Sequence, residues 1–146
     1  CAGSGALGIE ALSRGAEHCV FIENDRVALA VLRRNIEQLG LADRSTVVSA
    51  DIARESNERS GSRIAGHVAG AELVLADPPY RYEKWSELFA LVSESSPDAV
   101  LVAETEVGAS IHTSAPEGWN CLRNRDYGRT AVGFFVTAKS APRGAD

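Results

Sequence analysis

Short apolar runs and amphipathic stretches take turns along the whole chain. Cys19-Val20-Phe21-Ile22, Ser45-Thr46-Val47-Val48-Ser49, Leu73-Val74-Leu75-Ala76 and Ala99-Val100-Leu101-Val102-Ala103 are brief and rich in apolar, often β-branched residues, the pattern of buried strands. After the first run, Val27, Leu29, Ala30, Val31, Leu32, Ile36 and Leu39 approximate helical spacing. That helix is expected over about Arg26 to Leu39, with Asp25 as N-cap and Gly40 at its C-cap. A second is expected over Lys84 to Val92, with Trp85, Leu88, Phe89 and Val92 on one face. Near the start, Gly3 to Gly8 read as a loop opening a helix that runs to about Arg14 and stops at Gly15. Trp119 to Arg125 and Thr130 to Ala138 read as strands joined by a turn around Asp126-Tyr127-Gly128. Residues 52–70 are poor in apolar positions, which predicts a short helix and then an exposed loop. Lys139 to Asp146 reads as a flexible tail. Alternating strand and helix implies βαβ units, hence an α/β fold with a mostly parallel sheet closed by an antiparallel hairpin, in one domain over residues 1–138.

Composition narrows the classes. With 146 residues, 45% hydrophobic and 24% charged, the chain is sized and composed like one soluble domain. No apolar run approaches the ~18 residues of a membrane-spanning helix. The three cysteines, Cys1, Cys19 and Cys121, are odd in number and far apart, which reads as reduced thiols and a cytoplasmic protein. The histidines show no metal-ligand spacing, so no metal is expected. A net charge of −5 and dispersed basic residues (Arg33-Arg34, Arg81 and Lys84, then Arg123, Arg125 and Arg129) argue against a strongly basic nucleic-acid grip along the chain. There is no methionine, and a glycine loop of this kind needs a strand in front of it, so a preceding segment is expected ahead of Cys1.

Three strand ends carry candidate chemistry. Gly3-Ser4-Gly5-Ala6-Leu7-Gly8 matches G-x-G-x-x-G, in which glycines permit a tight turn and close backbone approach to a ligand at a helix N-terminus. A tight turn that merely packs helix on strand is the bland alternative. Glu23 ends the next strand, where an acid can accept ribose hydroxyls, and Asn24 follows it. Asp51 ends the third strand and can accept from an adenine amino group, beside the N–H of Ile52; equally, it can cap the helix after it. Together these point to an adenosine-containing cofactor at the carboxyl ends of the strands.

The fourth strand ends in Asp77-Pro78-Pro79-Tyr80. Each proline fixes φ near −65° and pushes the residue before it toward extended backbone. The Asp77 carboxylate and neighbouring carbonyls are thereby held as acceptors, with Tyr80 as a stacking face. A dinucleotide oxidoreductase has no use for that set. An enzyme methylating an exocyclic amino group does: acceptors hold the amino hydrogens and an aromatic ring stacks on an extruded base. A sulfonium donor already carries a good leaving group, so positioning and electrostatics should dominate.

The run Cys1-Ala2-Gly3-Ser4-Gly5-Ala6-Leu7-Gly8-Ile9-Glu10-Ala11-Leu12-Ser13-Arg14-Gly15-Ala16, with Phe21-Ile22-Glu23-Asn24-Asp25, Asn35-Ile36, Asp51, Leu75-Ala76-Asp77-Pro78-Pro79-Tyr80, Glu104-Thr105-Glu106 and Pro116-Glu117-Gly118-Trp119, closely resembles the bacterial small-subunit (16S) ribosomal RNA guanine-N2 methyltransferase family of the RsmD type. The resemblance covers residues 1 to about 138. It implies a Rossmann-like class I methyltransferase fold with a seven-stranded sheet whose last strand is antiparallel. It implies S-adenosylmethionine contacts at Ala2, Gly3, Ser4, Gly5, Gly8, Glu23, Asn24, Asp51, Ile52 and Asp77, and target-base contacts at Asp77, Pro78, Pro79 and Tyr80. It further implies, as partner, the small ribosomal subunit or its precursor, and a monomeric enzyme. The family's basic N-terminal segment and first strand are not within this sequence. An adenine-N6 methyltransferase, a dinucleotide oxidoreductase and a non-catalytic cofactor- or RNA-binding domain are the rival readings.

Overall fold

The computed structural model describes residues 1–55, 64–79, 82–113 and 115–140. The chain divides into two compact units, Cys1–His67 and Val68–Asp146.

In the first unit, helix α1 (Ala6–Ser13) leads into strand β1 (Cys19–Glu23), helix α2 (Arg26–Gln38) and strand β2 (Ser45–Ser49), with a 3-10 turn over Ala42–Arg44. Short helices α3 (Ile52–Glu55) and α4 (Ala65–Val68) follow; the expected loop between them lies largely outside the described residues. Asp25 caps α2 as expected, its Oδ1 accepting from Ala28 N at 2.8 Å. β1 and β2 pair in parallel from Cys19 opposite Ser45 to Glu23 opposite Ser49, so both carboxyl ends emerge at one edge. Leu12, Phe21, Leu32 and Ile36 are buried together, one from each of α1 and β1 and two from α2. Each contributes ~1.5–3 kcal/mol by leaving water. Arg44 closes the far end of this layer. Its guanidinium donates to the carbonyls of Leu12 (3.0 Å) and Glu17 (3.2 Å), capping the chain where α1 ends.

In the second unit, strand β3 (Leu73–Ala76), helix α5 (Trp85–Ser95), strand β4 (Val100–Glu106), helix α6 (Ser110–Thr113) and strands β5 (Trp119–Tyr127) and β6 (Thr130–Thr137) build a sheet of order β3-β4-β6-β5. β3 and β4 are parallel, and β6 is antiparallel to both β4 and β5. The last strand thus runs against its neighbours, as the resemblance implied. The described residues hold six strands, in sheets of two and four; the resemblance implied seven, the first of them not within this sequence. Phe89 of α5 packs edge-on against Phe135 of β6 (5.1 Å) and Trp119 of β5 (4.9 Å). Phe89 and Phe135 are buried, while Trp85 and Phe134 are half-buried.

Three elements outrun their sequence signal, β5 among them: it continues through Asp126 and Tyr127, which were expected in the turn. β4 continues through Glu104-Thr105-Glu106, a polar stretch by composition, because β6 pairs with it there: Glu104 opposite Val132, Thr105 opposite Ala131 and Glu106 opposite Thr130. α5 runs on to Ser95, and buried Ser96 ends it while accepting Ala71 N at 3.1 Å. The expected tail from Lys139 begins with an anchored residue. Ser140 Oγ donates to Asp98 Oδ1 at 2.7 Å, and residues 141–146 lie outside the described set.

Candidate functional site

At the carboxyl edge of β1 and β2, the glycine loop and Glu23 are knitted together by backbone hydrogen bonds. Ala2 N donates to the Ile22 carbonyl (2.9 Å) and Gly5 N to the Ala2 carbonyl (2.8 Å). Gly3 N donates to Glu23 Oε2 at 2.8 Å, while Asn24 N (2.8 Å) and Asp25 N (2.9 Å) donate to Oε1. Ser4 is held from the helix side, its carbonyl accepting from Asn35 Nδ2 at 2.9 Å. The loop's glycines answer to different demands. Gly3 (φ 56°) and Gly5 (φ 86°) adopt backbone that L side chains avoid. A Cβ on Gly3 would meet nothing within 4 Å, so its surroundings stay open to a ligand. A Cβ on Gly8 would strike the Phe21 ring and Cys19 Sγ, so that glycine lets α1 lie close on β1. The packing alternative holds for Gly8, and for Gly5, where a Cβ would strike the Leu32 side chain.

Glu23 is only 6% exposed. Burial alone would push its carboxyl up. The Asp25, Gly3 and Asn24 N–H groups outweigh that, with the amino group of Cys1 adding to them, and hold it at about 2. It is a permanent anion at neutral pH. Three backbone donors bind the carboxylate, and the Cys1 amino nitrogen lies 3.2 Å from its Oε2. Asp51 stands at the same edge, next to Ala50, whose N–H donates to the Glu23 carbonyl at 3.1 Å. Its Oδ2 lies 3.8 Å from Arg54 Nε, and its carbonyl accepts Arg54 N at 3.0 Å. Ile52 opens α3 directly after it. The set suits an adenosine-bearing cofactor: open backbone at Gly3, an ionised acceptor at Glu23 and a second carboxylate at Asp51.

In the second unit, Asp77 follows the last pair of the β3–β4 ladder, Ala76 opposite Ala103, so Glu104 is the matching next residue on β4. The charge of Asp77 acts on Glu104. Burial pushes the Glu104 carboxyl up and the charge of Asp77 pushes it further. Partial burial likewise raises Asp77, although its side chain is exposed. Pro78 is buried and Pro79 exposed. The Pro79 carbonyl accepts Tyr82 N at 2.8 Å, closing a turn. The Tyr82 ring packs edge-on against Trp85 at 5.3 Å, and Trp85 lies 6.5 Å from Phe89. This aromatic file ties the proline corner to the core of its own unit. Tyr80, the expected stacking ring, lies outside the described residues.

Sequence reasoning missed the work of three residues. Asn35 and Glu104 entered only as parts of a resemblance, and Tyr82 not at all. Their roles depend on which strand or loop lies alongside, and no local pattern states that. Among the described residues no group of His, Cys, Asp and Glu is arranged to hold a metal ion, and no helix is long and apolar enough to cross a membrane.

The chain is similar to several known proteins. Residues 1–136 match the family described as "Conserved hypothetical protein 95". The chain is 34% identical over 140 residues to YlbH of Bacillus subtilis, covering 92% of this chain and 71% of that protein. It is 30% identical over 148 residues to ribosomal RNA small subunit methyltransferase D of Escherichia coli, covering 99% of this chain and 70% of that one. Among solved structures, HI0767 of Haemophilus influenzae superposes with a TM-score of 0.74 at 25% identity, over 93% of this chain and 82% of that one.

Proposed function

The chain belongs to the RsmD-type family of ribosomal RNA small-subunit methyltransferases, with a Rossmann-like class I methyltransferase fold, and from that premise we propose that it methylates the exocyclic N2 of a guanine in small-subunit (16S) ribosomal RNA. The observation that carries the choice of base is the carboxylate pair Asp77 and Glu104 at the end of the β3–β4 ladder. Guanine presents adjacent donors along one edge, N1–H and the N2 amino group. Adenine presents an amino donor beside a ring acceptor. A pair of acceptor-only carboxylates fits the first edge and sets lone pair against lone pair on the second.

Bound S-adenosylmethionine supplies an electrophilic methyl group on a sulfonium centre. Everything else falls to the chain. Glu23 accepts a ribose hydroxyl, Asp51 with the N–H of Ile52 takes the adenine edge, and Ala2, Gly3, Ser4, Gly5 and Asn24 line the backbone path. Gly8 contributes by seating α1. Asp77 and the Pro78 carbonyl accept the amino hydrogens of the target base, which favours a more pyramidal nitrogen with an available lone pair. Glu104 accepts from the ring N1–H. As the nitrogen sheds a proton, a carboxylate with raised pKa stands next to it to accept. Tyr80 stacks on the base. Pro79 keeps the corner rigid.

The test uses small subunits from cells lacking this protein, methyl-labelled S-adenosylmethionine, and digestion of the RNA to nucleosides. Label in N2-methylguanosine is expected. Label in N6-methyladenosine would assign the adenine rival. No incorporation by the full-length protein would favour a binding domain without catalysis.

A further inference from the structure

Strand β5 carries a bulge that turns a basic row onto one face of its sheet. Up to Cys121 the strand pairs with β6 in one register, with Trp119 opposite Thr137 and Cys121 opposite Phe135. At Leu122 the register slips by one residue, and Arg123 pairs with Phe134, Arg125 with Val132 and Tyr127 with Thr130. Without that extra residue the side chains after it would fall on the opposite face, that of Phe135, where α5 packs. With it, Arg123, Arg125 and Tyr127 share the half-buried face of Thr130, Val132 and Phe134. All three are exposed, Tyr127 by 63%, and Arg129 sits at the hairpin tip beside Gly128. An open concavity of about 440 Å³ is lined by consecutive residues of β5, Arg123, Asn124, Arg125, Asp126 and Tyr127.

The same rows lead back to the candidate base site. Arg125 is opposite Val132, which is opposite Glu104, the residue matched with Asp77. Neighbouring strands lie ~4.8 Å apart, so Arg125 stands ~10 Å across the face from Glu104 and ~14 Å from the strand that ends at Asp77. Charge changes sign along that row, from the carboxylates of β3 and β4 to the arginines of β5. In a chain of net charge −5, arginines gathered on one face beside an exposed tyrosine are the complement of a phosphate backbone with unpaired bases.

We propose that this face of β5 is the track for the RNA flanking the target base. Arg123 and Arg125 bind backbone phosphates of the flanking strand, and Tyr127 stacks on one of its unpaired bases. The inference rests on the proposed ribosomal RNA reading, whose failure is separable: a wild-type protein that methylates no small-subunit RNA sinks that reading, whereas an active wild type with indifferent β5 variants sinks only this one.

The experiment measures methyl transfer by the full-length protein to small subunits across a salt series, comparing wild type with Arg123→Gln/Arg125→Gln and with Tyr127→Ala. The double variant should raise KM for the particle roughly tenfold or more, keep kcat, and flatten the slope of log KM against log salt by about 1.4, the share of two single-strand phosphate contacts. Tyr127→Ala should raise KM roughly fivefold or more with the salt slope intact. Affinity for S-adenosylmethionine should match wild type in both, which also reports that each variant is folded. If the double variant does not fold, Arg123→Lys/Arg125→Lys is read instead: lysine keeps the phosphate charge, so KM and slope stay near wild type on the proposal. Unchanged KM in the folded double variant, or a raised KM with an unchanged salt slope, would overturn the proposal, the latter by assigning the face to a protein contact.

Discussion

Glu23 and Asp77 occupy equivalent positions, each at the carboxyl end of a parallel strand, and their acidities are moved in opposite directions. Glu23 is buried and wrapped in backbone N–H groups that hold it at about 2. Asp77 faces solvent beside a second carboxylate, and partial burial pushes it up. One chain thus makes a permanent anion from one strand end and a proton-sensitive acceptor from another. The first suits steady binding of neutral hydroxyls. The second suits an amine that must be held and then lose a proton. The surroundings differ in the same sense: glycines and a buried clamp at Glu23, two prolines and an aromatic file at Asp77.

The comparison can be broken most forcefully at Asp77. Asp77→Ala should lower methyl transfer by ~10²–10³-fold, the usual cost of removing one preorganised group that acts on the transition state, in single turnover at saturating donor. Full rate would refute the mechanism. Next in size, Glu23→Ala should weaken S-adenosylmethionine binding by ~1.5–3 kcal/mol, the worth of hydrogen bonds to a charged group. It should also lower thermal stability, because the N–H groups of Gly3, Asn24 and Asp25 lose their acceptor. Within the loop, Gly8→Ala should cost ~1–3 kcal/mol by overpacking against Phe21 and Cys19. Gly3→Ala meets only backbone strain of ~1–2 kcal/mol. Thermal melts of the pair separate packing from conformation.

Acid titration sharpens the contrast further. Glu23 is more acidic folded than its ordinary 4.5, so its ionisation stabilises the protein above that value. That contribution drains away as pH falls from about 4.5 to about 2. Glu23→Gln should flatten the fall of Tm in this window. Asp77 and Glu104 carry the opposite sign: they favour the fold below their ordinary 3.8 and 4.5, and that contribution is lost as pH rises through their raised values. The smallest expected effect is local. Asp77→Asn removes a neighbouring charge and should lower the pKa of Glu104, read by carboxyl NMR; no movement would separate the two groups.

Much of this was legible in the residues because glycine, proline and capping aspartate punctuate the chain. Asp25 and Gly40 bound α2, and the strand ends at Glu23 and Ala76 fall where the apolar runs stop. What stayed hidden depends on pairing. Polar Glu104-Thr105-Glu106 is strand only because β6 lies beside it. Arg123 and Arg125 read as scattered charge until the bulge at Leu122 sets them on one face. Arg44 reads as a surface cation, yet it caps carbonyls 27 and 32 residues away. Period and composition report local structure, and each of these roles is set across the sheet.

Calorimetric affinity for S-adenosylmethionine, taken on Glu23→Ala and Asp77→Ala together, tests the division of labour most directly. The account predicts a marked loss of affinity in the first and a change of no more than a few-fold in the second. Equal losses in both, or the reverse order, would contradict it.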